Sequence, residues 1–305
     1  MLNTLMYMGN SWGNDYGVNN HENNSFQPRH GTIAGFYHYL QDKYLHHLRL
    51  INELQDCLER DELNLCYQPL IDLETGRTTR VEALLRWQHK HSGSISPEIF
   101  IPLAEQTGQI HALTSWVLDH ALQQLHAWIS GGINIDIAVN LSMCNLHDEN
   151  FPALVIGLLD KWSIPPELLI LEITEGMIMY DPELTIRVLR KLNDLGARLA
   201  LDDFGAGYSS LSHLAGLPIT ELKIDRTLIM DMDKNSKNAL IVRSTIELAR
   251  KLDMKITAEG VENAAVCNIL KEYGCNSAQG YFFSKPVNDI EFTSWFSNSG
   301  RDPCN

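Results

Sequence analysis

Short apolar runs that stop abruptly at a carboxylate, an amide or an ammonium group recur through this chain, and they constrain its fold more than any other feature. The richest is Leu199-Ala200-Leu201-Asp202-Asp203, followed by the glycine-bracketed segment Phe204-Gly205-Ala206-Gly207-Tyr208. Leu169-Ile170-Leu171-Glu172-Ile173-Thr174-Glu175 repeats the pattern upstream, and Ile256-Thr257-Ala258-Glu259 repeats it downstream. A carboxylate at the end of a buried strand is costly unless positive charge meets it. When several such strands share one sheet, a metal ion is the simplest source of that charge.

The runs alternate with amphipathic stretches. Strands are expected over Leu63–Ile71, Thr79–Leu85, Ile135–Leu141, Leu168–Ile173, Leu199–Asp202, Glu221–Ile224, Ile256–Glu259 and Ala278–Phe282. Helical periodicity falls near 97–106, 110–130, 148–162, 182–195, 208–215, 236–252, 262–273 and 289–297. Apolar strands covered by amphipathic helices imply a parallel sheet. A doubly wound open sheet would gather its polar groups at one switch point, and no GxGxxG follows the first strand. Acids spread over many strand ends favour an α/β fold of the TIM-like (β/α)8 barrel type. The opening pair at 63–86, joined by Glu74-Thr75-Gly76, is hairpin-like, so one barrel strand is expected to run antiparallel. Residues 1–33 are polar and read as a flexible leader or linker remnant. Residues 34–60 place Phe36, Leu40, Tyr44, Leu48, Ile51, Leu54 and Leu58 at helical spacing, which predicts an amphipathic helix packed on the main domain or on a second copy. The barrel domain is expected over 61–300.

In such a barrel the strand C-termini converge on one face. The strand-end residues are Glu82, Asn140, Glu172, Asp202 with Asp203, Lys223 with Asp225, Glu259, and Gln279. Hard oxygen ligands without a matching His or Cys cluster suit Mg²⁺ or Mn²⁺ better than zinc. Adjacent acids at 202 and 203 could bridge two ions, and paired metals roughly 3.5–4 Å apart are a standard arrangement for hydrolysing phosphate esters. Lys223 can hold an attacking water or neutralise developing charge. Arg86, four residues after Glu82, carries a planar fork suited to phosphate. A net charge of −14, from 24 basic against 38 acidic residues, argues against a surface that grips duplex nucleic acid. No apolar run reaches the ~18 residues of a membrane span, and no basic n-region precedes a long apolar one. The six cysteines form no metal-ligand spacing and read as thiols of a reducing compartment. A cytoplasmic protein without membrane insertion is the expectation.

The motif Glu82-Ala83-Leu84-Leu85-Arg86-Trp87 resembles the signature of the EAL-domain family. The chain is also similar to that family at Tyr67-Gln68-Pro69, Asn140-Leu141-Ser142, Glu172-Ile173-Thr174-Glu175, the segment 202–211, Leu222-Lys223-Ile224-Asp225, Ala258-Glu259-Gly260-Val261-Glu262 and Gln279-Gly280-Tyr281. Ala206, where Thr is common, is a mild departure. The resemblance implies a TIM-like barrel with an antiparallel strand and hydrolysis of cyclic di-GMP to linear pGpG. It also implies two Mg²⁺ or Mn²⁺ ions per site and a homodimer. Glu82, Asn140, Glu172 and Asp202 would be metal ligands, Asp203 would hold the second ion, and Glu259 would complete the shell. Lys223 would orient the nucleophilic water, and Glu175 would brace the loop over 203–209. Gln68, Leu84, Arg86, Asp225, Gln279 and Pro286 would line the dinucleotide. The alternative of the same fold is a catalytically silent cyclic-di-GMP receptor.

Overall fold

The computed structural model of the protein describes residues 48–205 and 216–299. Nine strands form one sheet: β1 (Leu63–Asp72), β2 (Thr78–His89), β3 (Gly93–Ile95), β4 (Asp136–Asn140), β5 (Leu169–Thr174), β6 (Arg198–Phe204), β7 (Glu221–Ile224), β8 (Lys255–Ala258) and β9 (Ser277–Ala278). Eight of them close in the order β1-β2-β4-β5-β6-β7-β8-β9, because β1 pairs with both β2 and β9, while β3 lies outside on β2. β1 is the antiparallel member, and the steps from β2 through β4 to β9 are parallel. The expected barrel with one reversed strand is therefore the fold, and the open doubly wound sheet is not.

The helices are α1 (48–57), α2 (Pro97–Thr107), α3 (Ile110–Ser130), α4 (Met143–Leu146), α5 (Phe151–Trp162), α6 (Glu175–Tyr180), α7 (Pro182–Asp194), α8 (Arg226–Ile229), α9 (Ser236–Lys251), α10 (Ala264–Tyr273) and α11 (Asp289–Ser299). Local chemistry sets their limits. Asp181 caps α7 by accepting a hydrogen bond from the Leu184 amide at 3.1 Å, Pro182 fits the first turn, and Thr185, Val188, Leu189 and Leu192 form its buried stripe. Asn263 caps α10 in the same way, and Gly274 ends it in the left-handed conformation.

Strand parity divides the barrel into an outer and an inner chemistry. Ile137, Val139, Leu169, Leu171, Ile173, Leu199, Leu201, Leu222, Ile224 and Ile256 belong to the main core with residues of the surrounding helices. The alternate positions point inward, where Ala138, Ile170 and Ala200 form a separate small cluster among polar side chains. The strands are thus alternating rather than uniformly apolar. A second core joins Leu50, Leu54 and Cys57 of α1 to Trp87, Ile95, Phe100 and Leu113. For its described part, the 34–60 helix therefore packs on the main domain, with Leu50 rather than the exposed Leu48 on the buried face. Residues 1–47, and with them the expected leader, lie outside the described residues, as does the expected helix over 208–215. The last expected strand shortens to Ser277–Ala278. Cys57, Cys66, Cys144 and Cys275 are free thiols, whereas Cys267 is disulfide-bonded, which corrects the expectation of unpaired thiols at that position.

Candidate metal centre and binding cleft

The inward positions at the strand C-termini build one continuous polar layer. Register sets it: Gln68 of β1 lies opposite Glu82 of β2, and Asn140 lies beside Glu172 across β4 and β5. Asn140 donates from Nδ2 to Glu82 Oε1 at 2.6 Å. Gln279 donates from Nε2 to Glu82 Oε2 at 2.7 Å and to Gln68 Oε1 at 2.9 Å, and Gln68 donates to the Ser284 carbonyl at 3.0 Å. Two amides thus fix both oxygens of Glu82.

Lys223, fully buried, stands among the acids. Its ammonium lies 2.7 Å from Glu259, 2.8 Å from Glu172, 3.2 Å from Asp202 and 3.8 Å from Glu82. Burial would lower its pKa, but the carboxylates of Asp202, Glu172, Glu259 and Glu82 outweigh that and hold it well above the ordinary lysine range. Glu82 responds oppositely. Burial would raise it, yet the Lys223 charge and the hydrogen bonds from Gln279 and Asn140 keep it below the usual carboxylate range. Glu172 is pushed well up by burial, with Glu82 and Asp202 adding repulsion beyond what Lys223 offsets. Burial and the neighbouring acids likewise push Glu259 up to about 8.

Asp202 and Asp203 reach the layer together because β6 is irregular where it meets β7, with a register shift between Leu201 and Phe204. Asp203 takes a left-handed backbone at φ 55, a conformation Asp tolerates better than most residues, and its amide donates to Asp202 Oδ1 at 2.9 Å. Burial and the charges of Asp202 and Asp225 raise the Asp203 pKa.

The site fits divalent cations. Asp202, Asp203 and Glu259 offer oxygens within 4.8 Å of one another. Glu172 Oε1 is buried with no hydrogen-bond partner, an arrangement that is costly until a cation meets it. Four carboxylates surround one ammonium, with Asp203 beside two of them, and the donors are all oxygen, the hard set that Mg²⁺ and Mn²⁺ prefer.

A cavity of about 240 Å³ opens over this layer, lined in part by Gln68, Glu82, Leu84, Asp202, Glu259 and Gln279. Arg226, Met230, Gly260, Glu262, Gly280 and Tyr281 also line it. These last six were not singled out as site residues, because they lie on the short helix α8 and its C-cap and in the turns just past strands β8 and β9. Gly280 is required there, since a β-carbon would fall 2.1 Å from the Val261 carbonyl oxygen. Other expected residues make local contacts. Asp225 caps α8, accepting from the Thr227 amide at 2.9 Å and from the Thr227 hydroxyl. Half-buried Arg86 donates to the Leu85 carbonyl at 2.9 Å, and neither it nor Asp225 or Pro286 lines the cavity. Glu175 opens α6, one residue past β5, while most of the segment it was expected to brace lies outside the described residues.

A closed barrel with one reversed strand, whose inward acids and one buried lysine meet at the strand C-termini, defines an acidic, metal-competent (β/α)8 centre. The chain belongs to the EAL-domain family, whose model matches residues 51–286. It is 43% identical over 241 residues to the bifunctional diguanylate cyclase/cyclic di-GMP phosphodiesterase MucR of Pseudomonas aeruginosa, covering 79% of this chain and 35% of that protein. It is 35% identical over 266 residues to the cyclic di-GMP phosphodiesterase PdeR of Escherichia coli, covering 87% of this chain and 40% of that protein. The chain thus spans well under half the length of these curated relatives. A solved structure of the PaMucR phosphodiesterase in complex with c-di-GMP superposes with a TM-score of 0.76 at 42% identity, covering 80% of this chain and 99% of that one.

Proposed function

We propose that this chain is a metal-dependent phosphodiesterase that hydrolyses cyclic di-GMP to linear pGpG. The observation that carries the reading is the unbroken polar layer around Lys223, with Glu82, Asn140, Glu172, Asp202, Asp203 and Glu259 all at one barrel mouth. Glu82, Asn140, Glu172 and Asp202 would hold one Mg²⁺ or Mn²⁺ ion, and Asp203 with Glu259 a second. Bound there, the ions supply Lewis-acid stabilisation of phosphate charge and lower the pKa of water.

The remaining work falls to side chains. With its carboxylate partners engaged as ligands, Lys223 has an N–H free to hold a water in line with the scissile phosphorus. Asn140 and Gln279, the latter also held by Gln68, fix Glu82, so that this carboxylate does not swing away when charge develops beside it. Leu84 and Tyr281 offer apolar surface to the nucleotide, and Arg226 offers positive charge at the same mouth. A homodimer in the cytoplasm is part of the reading.

Comparing turnover of cyclic di-GMP, cyclic AMP and a simple aryl phosphodiester with Mn²⁺ tests substrate class. Selective cleavage of cyclic di-GMP supports the reading, and comparable rates on all three point to a general phosphodiesterase. Tight cyclic-di-GMP binding without turnover identifies a receptor.

A further inference from the structure

Beneath the acid layer lies a second polar element. On each strand the inward residue two positions before the site residue stands one step deeper in the barrel: Arg80 before Glu82, Ala138 before Asn140, Ile170 before Glu172, Ala200 before Asp202, Glu221 before Lys223 and Thr257 before Glu259. In the closed ring β2 and β7 are four steps apart, on opposite walls of the barrel. Arg80 nonetheless reaches Glu221, with Nη1 at 2.7 Å from Oε1, and both side chains are buried. The span is possible because Ala138 and Ala200 leave the middle of the barrel open. Thr257 donates its hydroxyl to the same Glu221 oxygen at 2.6 Å, so a third strand joins the contact.

The geometry points to Arg80 and Glu221 as positioning residues: a strut across the barrel that fixes the distance between the strands carrying Glu82 and Lys223. Each end of the strut lies two positions before the group it places, so a sideways shift of β2 or β7 moves the carboxylate or the ammonium directly. Thr257 extends the same control to Glu259. Neither strut residue reaches the cavity, and neither touches substrate. Apolar side chains can occupy these deeper inward positions, as Ala138, Ile170, Ala200 and Leu70, the last paired opposite Arg80, show. A pair that crosses the full barrel in that setting serves geometry.

This inference rests on the phosphodiesterase reading for its kinetic arm but not for its ion-binding arm. Removing one partner would strand a buried charge and endanger folding, whereas removing both with apolar replacements is often tolerated. The test is therefore R80M/E221L in the full chain, with R80Q/E221Q as a second pair should the first fail to fold. Mn²⁺ affinity is measured without nucleotide by electron paramagnetic resonance titration, and kcat and KM are measured at saturating Mn²⁺. The melting temperature should stay near that of the parent. Mn²⁺ binding should weaken about tenfold or kcat should fall about tenfold, with KM for cyclic di-GMP within about twofold. Either change supports the strut. A folded double variant with parental Mn²⁺ affinity and parental kcat overturns it. If the parent itself fails to turn over, the phosphodiesterase reading has failed, and Mn²⁺ affinity alone decides the strut, unchanged affinity overturning it.

Discussion

Replacing Lys223 by methionine should separate the two tasks that the ammonium performs. The side chain is fully buried, with Glu259 at 2.7 Å and Glu172 at 2.8 Å, so the loss of charge cannot be made good by solvent. At an effective dielectric constant near 20, each short pair corresponds to about 6 kcal/mol of Coulomb attraction, an upper bound before desolvation is counted. The net cost of removing one partner from a buried pair is about 3–5 kcal/mol. Here proton uptake softens it, because Glu172 and Glu259 already have raised pKa values and can neutralise themselves. The expected loss at pH 7 without metal is therefore at the low end, about 3 kcal/mol, or roughly 6–12 °C in melting temperature for a domain of this size. Divalent ions should stand in for the lost charge. With millimolar Mn²⁺ the stability deficit of K223M should shrink to below about 1 kcal/mol, while turnover stays about 100-fold down because the water has lost its donor. Calorimetry with and without Mn²⁺, paired with a hydrolysis assay, reads both. A metal-free variant as stable as the parent would refute the electrostatic account. A deficit that Mn²⁺ leaves untouched would show that the acids are not ion ligands.

Other consequences follow from individual contacts. G280A should lower stability by about 1–3 kcal/mol and weaken nucleotide binding, because its β-carbon must displace the Val261 backbone beside the cavity; unchanged thermal melting and binding would contradict the packing. Burial would raise the Glu221 pKa, but Arg80 and Thr257 overcome it and lower the value below that of an unfolded glutamate. The linked stability should be fully present above about pH 4.3 and be lost as pH falls through the folded value, so urea midpoints should decline more steeply below pH 4.3 in the parent than in R80M/E221L. Burial pushes the Cys57 and Cys275 thiols up to about 12, so both should resist an aromatic disulfide reagent at pH 8 until urea unfolds the chain. Labelling of either in the native state would show that the core around it opens.

Much of the site could be read from strand ends alone. Glu82, Asn140, Glu172, Asp202, Lys223, Glu259 and Gln279 share one barrel mouth because a parallel barrel gathers its strand C-termini on one face. The reversed β1 was legible from the hairpin at Glu74-Thr75-Gly76. What escaped notice has physical reasons. β3 is three residues long and sits in a polar stretch, and β9 carries only two ladder residues before the chain turns at Gly280. The cavity wall at Arg226, Met230, Glu262 and Tyr281 comes from a four-residue helix and from turns, which are too short to show a period. Arg80, Glu221 and Thr257 lay inside runs read as uniformly apolar. Period-two alternation would have exposed them, since each stands two residues before a polar residue at the barrel mouth. Asp225, expected to line the dinucleotide, also caps α8, a contact that the strand-end pattern does not reveal.

The most direct test of the central claim is hydrolysis of cyclic di-GMP by the full chain in ¹⁸O-labelled water, with Mg²⁺ or Mn²⁺ and again with EDTA, the product being identified by mass spectrometry. The account predicts linear pGpG that carries the label in its terminal phosphate, formed with either metal and absent with EDTA. Intact cyclic di-GMP recovered from a folded, metal-supplied protein, or a product formed equally well with EDTA, would contradict it.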